Sequence, residues 1–330
     1  MKNPFLSVVI PIYNEEDGLD ALFTRLYPAL DALGRSYELI FVDDGSRDRS
    51  AALLREQFQR RPDVTRVVLL ESNYGQHPAI LAGFERCRGD VVVTLDADLQ
   101  NPPEEIGRLV AKFEEGHDYV GTIRRGRRDS AFRRYASRFL NRLRERTTRI
   151  RMTDQGCMLR AYSRAIVDAM NSCTEGNTFI PALAYTFARN PVEIEVGHEE
   201  RAAGVSKYSL YSLIRLNFDL MTGFSLLPLQ SFSLLGMLIA LVSMVTYVVV
   251  MVERLVVAEN FEMAIRAVYD RDILQFFLLG IALFGIGLLG EYVGRIYEQV
   301  RGRPRYRVAV VLEQNRDPAA APLHERVRSV

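Results

Sequence analysis

From Leu220 to Val252 the chain carries no charged side chain. A helix rises about 1.5 Å per residue, so about 20 apolar residues cross the hydrocarbon core of a bilayer. A charge-free run of this length is too long for an ordinary soluble helix and predicts a first span from about Leu226 to Val252. A second span is predicted from Ile273 to Ile296, around the charge-free core Ile273 to Gly290. Before the first span, Leu210, Leu213, Ile214, Leu216 and Phe218 lie next to Arg215 and Asp219, which suits a helix at the membrane interface. The segment after the second span holds Arg295, Arg301, Arg303, Arg305 and Arg307. The positive-inside rule places that end in the cytoplasm, and two spans return the N-terminal part to the same side.

The first two hundred residues read differently. Leu6 to Ile12 is a short apolar run of strand type, followed by Leu19, Leu22, Phe23, Leu26 and Leu30 at helical spacing, with Gly34 as a stop. Leu39 to Val42, Val67 to Leu70 and Asp90 to Leu95 repeat the strand signal, with helices expected near Arg49 to Arg60 and Pro78 to Arg88. The all-apolar Val91-Val92-Val93 is what a parallel strand buried on both faces requires. The alternation predicts an α/β fold with a doubly wound, mostly parallel sheet. The expected organisation is an α/β domain over 1–208, an interfacial helix over 209–225, two spans over 226–297 and a tail over 298–330. That tail contains a possible strand at Val308 to Leu312, read as a segment that pairs with another subunit.

In such sheets ligands bind at the carboxyl ends of the strands. Tyr13-Asn14-Glu15, Asp43-Asp44, Asn73-Tyr74-Gly75 and Asp96 with Asp98 all fall there. Asp96 and Asp98 face one way if strand geometry continues past Leu95, and Gln100 is the next position on that side. Mg²⁺ and Mn²⁺ take oxygen ligands, commonly one or two carboxylates plus substrate phosphates. The sequence therefore predicts a metal-held diphosphate at Asp96, Asp98 and Gln100.

Other classes are disfavoured. Cys87, Cys157 and Cys173 have neither paired nor metal-ligand spacing, which fits a reducing compartment. The start runs straight into a strand, so no cleavable signal peptide is expected. Arg124 to Arg151 holds twelve arginines and two acidic residues, with Phe132, Tyr135, Phe139 and Leu143 on one helical face. That pattern suits an anionic membrane surface. Nucleic acid is not an expected partner, because the net charge is only +1 and no binding motif accompanies the run.

Ser7 to Glu15, Val42-Asp43-Asp44-Gly45-Ser46 and Leu95 to Gln100 resemble the inverting family 2 glycosyltransferases of GT-A fold. Asp98 to Glu105 narrows the resemblance to the polyprenyl-phosphate and dolichyl-phosphate glycosyltransferases. It extends to Asn73 to His77, Gln155 to Tyr162, Thr178 to Pro181 and Gly287 to Tyr292, and so covers nearly the whole chain to about Glu313. The resemblance implies a UDP-linked donor, UDP-4-deoxy-4-formamido-L-arabinose, and undecaprenyl phosphate as acceptor. It implies that Pro11, Tyr13, Asn14, Glu15 and Asp43 hold the uridine, with Asn73 and His77 at the donor. Asp154 would be a base or a positioning carboxylate. Arg160, Arg201, Ser206 and Lys207 would bind the acceptor phosphate, and the subunits would form a homo-oligomer, expected as a tetramer.

Three rivals remain. A hexosyltransferase taking UDP-glucose or another nucleotide hexose differs from this reading only in the donor. A processive synthase would be expected to carry Gln-x-x-Arg-Trp, and the chain has no tryptophan. A silent scaffold would be expected to lose the carboxylates at 96 and 98, and both are present.

Overall fold

The computed structural model describes residues 3–124, 152–154, 156–173, 179–197, 199 and 261–314, with scattered positions between 229 and 245. The chain divides into two compact units. The first comprises 1–134, 150–207 and 302–330, and the second 135–149 and 208–301.

The first unit is built on one eight-stranded mixed sheet. Strands β1 (Leu6–Ile12), β2 (Tyr37–Asp43), β3 (Thr65–Leu70) and β4 (Val91–Thr94) alternate with helices α1 (Leu19–Asp31), α2 (Ser50–Arg60) and α3 (Gln76–Phe84). After the short turn Pro103–Glu105 come α4 (Ile106–Glu114), β5 (Tyr119–Arg124), β6 (Arg160–Ser163), α5 (Arg164–Ser172), α6 (Ile180–Phe187) and β7 (Pro191–Val196). Strand β8 (Val308–Leu312) closes the order β7-β5-β6-β4-β1-β2-β3-β8.

Every residue of β3 and β4 is buried, and β1 and β2 are nearly so. That is the expected result for strands covered by helices on both faces. Helix α1 buries Leu19, Leu22, Phe23, Leu26, Tyr27 and Leu30 on its sheet side. Large apolar side chains contribute about 1.5–3 kcal/mol each when buried. Together they outweigh the roughly 3 kcal/mol that Pro28 costs inside the helix. Gly34, with φ +62°, ends the turn after α1 as expected.

Strands β1 to β4 are mutually parallel in the order β4-β1-β2-β3, so the winding reverses between β1 and β4. A crevice forms at such a switch point, outside the carboxyl ends of the strands. Parallel pairing is less dominant than expected. Strand β6 runs antiparallel to both β4 and β5, and β8 antiparallel to β3.

Strand β8 forms where the sequence placed a strand, but its partner is β3 of the same chain rather than another subunit. Strand β3 would otherwise leave its N–H and C=O groups open. Glu313, just beyond β8, ties the strand down through Arg66 (2.5 Å) and Arg88 (3.1 Å).

In the second unit, residues 229–236 are helical, and α7 (Phe261–Val300) runs for 40 residues. The helix therefore begins twelve residues before Ile273, where the second span was predicted to start, and Phe261 to Asp272 contains neither Gly nor Pro to stop it. Among the described residues no helix is long and apolar enough to cross a membrane. Most of the predicted first span, the interfacial helix, the basic segment 125–151 and the tail after 314 lie outside the described residues.

Candidate active site

The loops after β1 and β2 are fastened to each other by paired hydrogen bonds. Asn14 donates its N–H to Ser46 Oγ (3.0 Å) and accepts from the Arg47 N–H through Oδ1 (2.9 Å). The Glu15 N–H donates to Ser50 Oγ (2.9 Å), the Glu16 N–H to Asp48, and the Arg49 N–H back to Glu16. Asn14 sits at φ +53°, a conformation asparagine accepts more readily than most residues. Pro11 lies beyond the last residue of β1 that pairs with β4, so its missing N–H leaves that ladder intact. Tyr13 projects from the loop and is exposed.

Asp44 grips the next loop. Its two oxygens accept the N–H groups of Tyr74 (2.7 Å) and Gly75 (2.8 Å). Gly45, at φ +69°, lets the loops close up, since a Cβ there would lie 2.4 Å from the carbonyl carbon of Ser72. These contacts aim the start of α3 at the end of β4, where the Gln76 side-chain amide donates to Asp96 Oδ1 (2.7 Å). Asn73, expected at the donor, is exposed on this loop.

Asp43 differs from its neighbour. It is only 3% exposed, and Oδ2 accepts the Ser46 N–H at 3.3 Å, while Oδ1 is buried with no hydrogen-bond partner. Burial pushes its carboxyl above the ordinary carboxylate range. An orphaned buried oxygen at the carboxyl end of β2 would be satisfied by a donor from a ligand or a water.

Asp96 and Asp98 are partly exposed and flank the buried Ala97, so the expected alternation holds for the carboxylate pair. It stops there. Leu99 takes φ +58°, and the Gln100 N–H donates to Asp98 Oδ1 (3.2 Å), so the chain turns before Gln100. Gln100 is therefore not the next same-side position of an extended strand. Among the described residues no group of three or more His, Cys, Asp or Glu side chains could hold a metal by itself. Two partly exposed carboxylates one residue apart still fit Mg²⁺ or Mn²⁺, which commonly complete their shell with phosphate oxygens and water.

Asp154 is buried and held by Arg124, which donates from Nε (2.7 Å) and from Nη2 (2.9 Å). The Arg124 guanidinium is raised above its ordinary value chiefly by Asp154, and Asp96 adds attraction. A carboxylate clamped this way is a poor proton acceptor and a good positioning group. The sequence reading missed Arg124 as a site residue. It is one of twelve arginines in its segment, and only the end of β5 selects it.

The assignment of Arg160 to the acceptor phosphate is corrected. Its side chain is fully buried, with Nε donating to Cys157 O, Nη1 to Tyr119 Oη and Nη2 to the Asp154 carbonyl. Those donors support the 154–157 segment from behind and are not free for a ligand. His77 is neutral, its imidazole lowered by burial to about 4, and its ring meets Phe179 edge-on at 5.2 Å. Arg201, Ser206 and Lys207 lie outside the described residues, as do Gln155, Thr178 and His198.

Residues 7–170 match the model of the family described as glycosyl transferase family 2. The undecaprenyl-phosphate 4-deoxy-4-formamido-L-arabinose transferase of Edwardsiella ictaluri is 50% identical over 311 residues, covering 94% of this chain and 95% of the relative. The transferase of the same name from Klebsiella pneumoniae subsp. pneumoniae is 51% identical over 309 residues, covering 94% of each chain. Among solved structures, a mannosyltransferase from Pyrobaculum calidifontis in complex with GDP-mannose and Mn²⁺ is 16% identical, with a TM-score of 0.45 over 89% of this chain and 88% of that one.

Proposed function

The chain belongs to glycosyltransferase family 2, and from that premise we propose that it transfers 4-deoxy-4-formamido-L-arabinose from its UDP donor to undecaprenyl phosphate. The product would be a lipid-linked sugar used to modify lipid A, a route to resistance against cationic antimicrobial peptides such as polymyxin. Two relatives that match over nearly the full length of both chains carry that name, which favours this donor over a hexose.

The observation that carries the nucleotide reading is the Asp43 carboxylate. Its unpartnered Oδ1 lies at the carboxyl end of β2, next to the loops of Tyr13, Asn14 and Glu15. The uracil ring offers an N–H that would satisfy it. Pro11, Tyr13, Asn14 and Glu15 would form the remaining wall of the uridine site. Asp96 and Asp98 would hold Mg²⁺ or Mn²⁺ with the diphosphate, and the ion would neutralise charge developing on UDP.

In the reaction a phosphate oxygen of the lipid attacks the anomeric carbon as the bond to UDP breaks, with inversion. A phosphate monoester has a second pKa near 6, so the acceptor is largely a dianion at neutral pH and needs no strong base. Asp154, already paired with Arg124, then acts as a positioning group. Arg201, Ser206 and Lys207 are proposed to meet the acceptor phosphate. The domain limits at 208, 225 and 297 are proposed on the sequence pattern.

A seat in the bacterial cytoplasmic membrane, with the catalytic domain and both termini cytoplasmic, is supported by the outer surface of α7. Leu283, Phe284 and Ile286 are each more than half exposed there. Exposed apolar patches of this kind mark interaction with lipid or another apolar surface. A homo-oligomer is proposed from the family resemblance.

The deciding experiment is product mass spectrometry on the detergent-held protein with undecaprenyl phosphate and Mg²⁺, supplied with the formamido-arabinose donor, UDP-glucose or no donor. A lipid product from the first donor alone is expected. A product from UDP-glucose instead would overturn the donor while leaving the metal and nucleotide assignments in place.

A further inference from the structure

We infer that His77 reads the nitrogen substituent of the donor sugar, through a ring nitrogen that the protein itself leaves without a partner. This rests on the donor reading above. Nδ1 of His77 is shut off from solvent and makes no hydrogen bond, although the residue as a whole is only half-buried. A dry, unpartnered polar atom is costly and rare in a folded protein unless something else satisfies it.

Its place in the fold says what that partner is. His77 is the second residue of α3, whose start is pinned at two points. The N–H groups of Tyr74 and Gly75 bind Asp44 at the end of β2, and the Gln76 amide binds Asp96 at the end of β4. A diphosphate held at Asp96 brings its sugar to this helix start. The imidazole is neutral, so one ring nitrogen donates and the other accepts.

Phe179 fixes the plane of the ring and supplies an apolar wall, so the segments 75–77 and 179–180 meet here although a hundred residues separate them in the chain. A formamide is planar and offers both an N–H and a C=O. It can meet Nδ1 in either tautomer while its flat face lies on an apolar wall. A hydroxyl at the same carbon offers no such face and is better left hydrated.

The test compares UDP-4-deoxy-4-formamido-L-arabinose with UDP-L-arabinose, which carries a hydroxyl at that carbon, on the full-length protein with undecaprenyl phosphate. The readout is the ratio of kcat/KM for the two donors, with UDP affinity measured alongside. His77→Phe keeps a ring against Phe179 and removes both nitrogens. The ratio is expected to fall about tenfold or more, with UDP affinity retained. His77→Gln, which restores a polar group, should recover part of the preference.

An unchanged ratio in His77→Phe, or an equal loss for both donors, would overturn the inference. So would a fall in UDP affinity matching the fall in turnover, because the histidine would then merely support the nucleotide site. A wild-type protein that ignores the formamido donor yet transfers another sugar would instead sink the donor reading itself.

Discussion

The two ends of strand β2 treat buried carboxylates in opposite ways. At the amino end Glu38 faces Arg66 at 2.8 Å, accepts from Ser7 Oγ (2.6 Å) and the Arg88 N–H (2.6 Å), and shares Arg66 with Glu313. Each acid there has an arginine of the same chain against it. At the carboxyl end Asp44 accepts only backbone N–H groups, and Asp43 keeps one oxygen with no partner. Charges neutralised internally hold the fold, whereas charges left for something else mark a binding site. Carboxylates thus hold the fold at one end of the strand and are proposed to meet the ligand at the other.

The largest effect should come from the open end. Asp98→Ala is expected to lower turnover about a thousandfold or more, because it removes half of the carboxylate pair proposed to hold the metal and diphosphate. Asp98 is partly exposed, so far-UV circular dichroism and melting should change little. Near-normal product formation by this variant would remove the metal assignment and blur the contrast between the two ends.

The closed end should respond in the other currency. Glu38→Ala takes the shared acceptor from Arg66, Ser7 and the Arg88 N–H, and although Glu313 still pairs with Arg66, donors left buried without an acceptor cost about 1–3 kcal/mol each. A large loss in denaturant midpoint is expected, with turnover per folded molecule preserved. A variant that kept its stability but lost turnover would show that the amino end is not merely structural.

The contrast also explains what the sequence could reveal. The apolar runs of β1 to β4 and the polar clusters that follow them are local signals, so the switch point and the polar clusters at its strand ends were readable in advance. Strands β5, β6 and β7 were not, since β6 has only four residues, and both its antiparallel pairings and the parallel pairing of β7 with β5 join segments far apart in the chain. Two site readings failed, and one residue was missed, for the same reason. Arg160 carries the charge a phosphate site needs, but a four-residue strand turns it into the core. Gln100 fits the period of a strand, but the left-handed turn at Leu99 ends that period one residue earlier. Arg124 was hidden among other arginines until the end of β5 placed it on Asp154. Residue type is local, while partners are set by chain segments far apart in sequence.

The finest test of the contrast is Asp43→Asn, for which stability and binding should move in opposite directions. Burial raises the Asp43 carboxyl above its unfolded value, so the folded protein holds the proton to higher pH than the unfolded chain does. The associated stability is fully present below the ordinary carboxylate range and is lost as pH rises through the folded value. Once pH has risen through that folded value, the ionised Asp43 costs the free protein stability, and Asp43→Asn should melt higher than wild type. In acid, below the ordinary carboxylate range, that advantage should disappear. UDP should bind the variant about tenfold more weakly, because a charge-assisted hydrogen bond becomes a neutral one. Melting against pH, with and without UDP, checks both halves. If Asp43→Asn melted lower even above that folded value and bound UDP normally, Asp43 would belong with Glu38 as a structural acid, and the unpartnered oxygen would have no ligand to explain it.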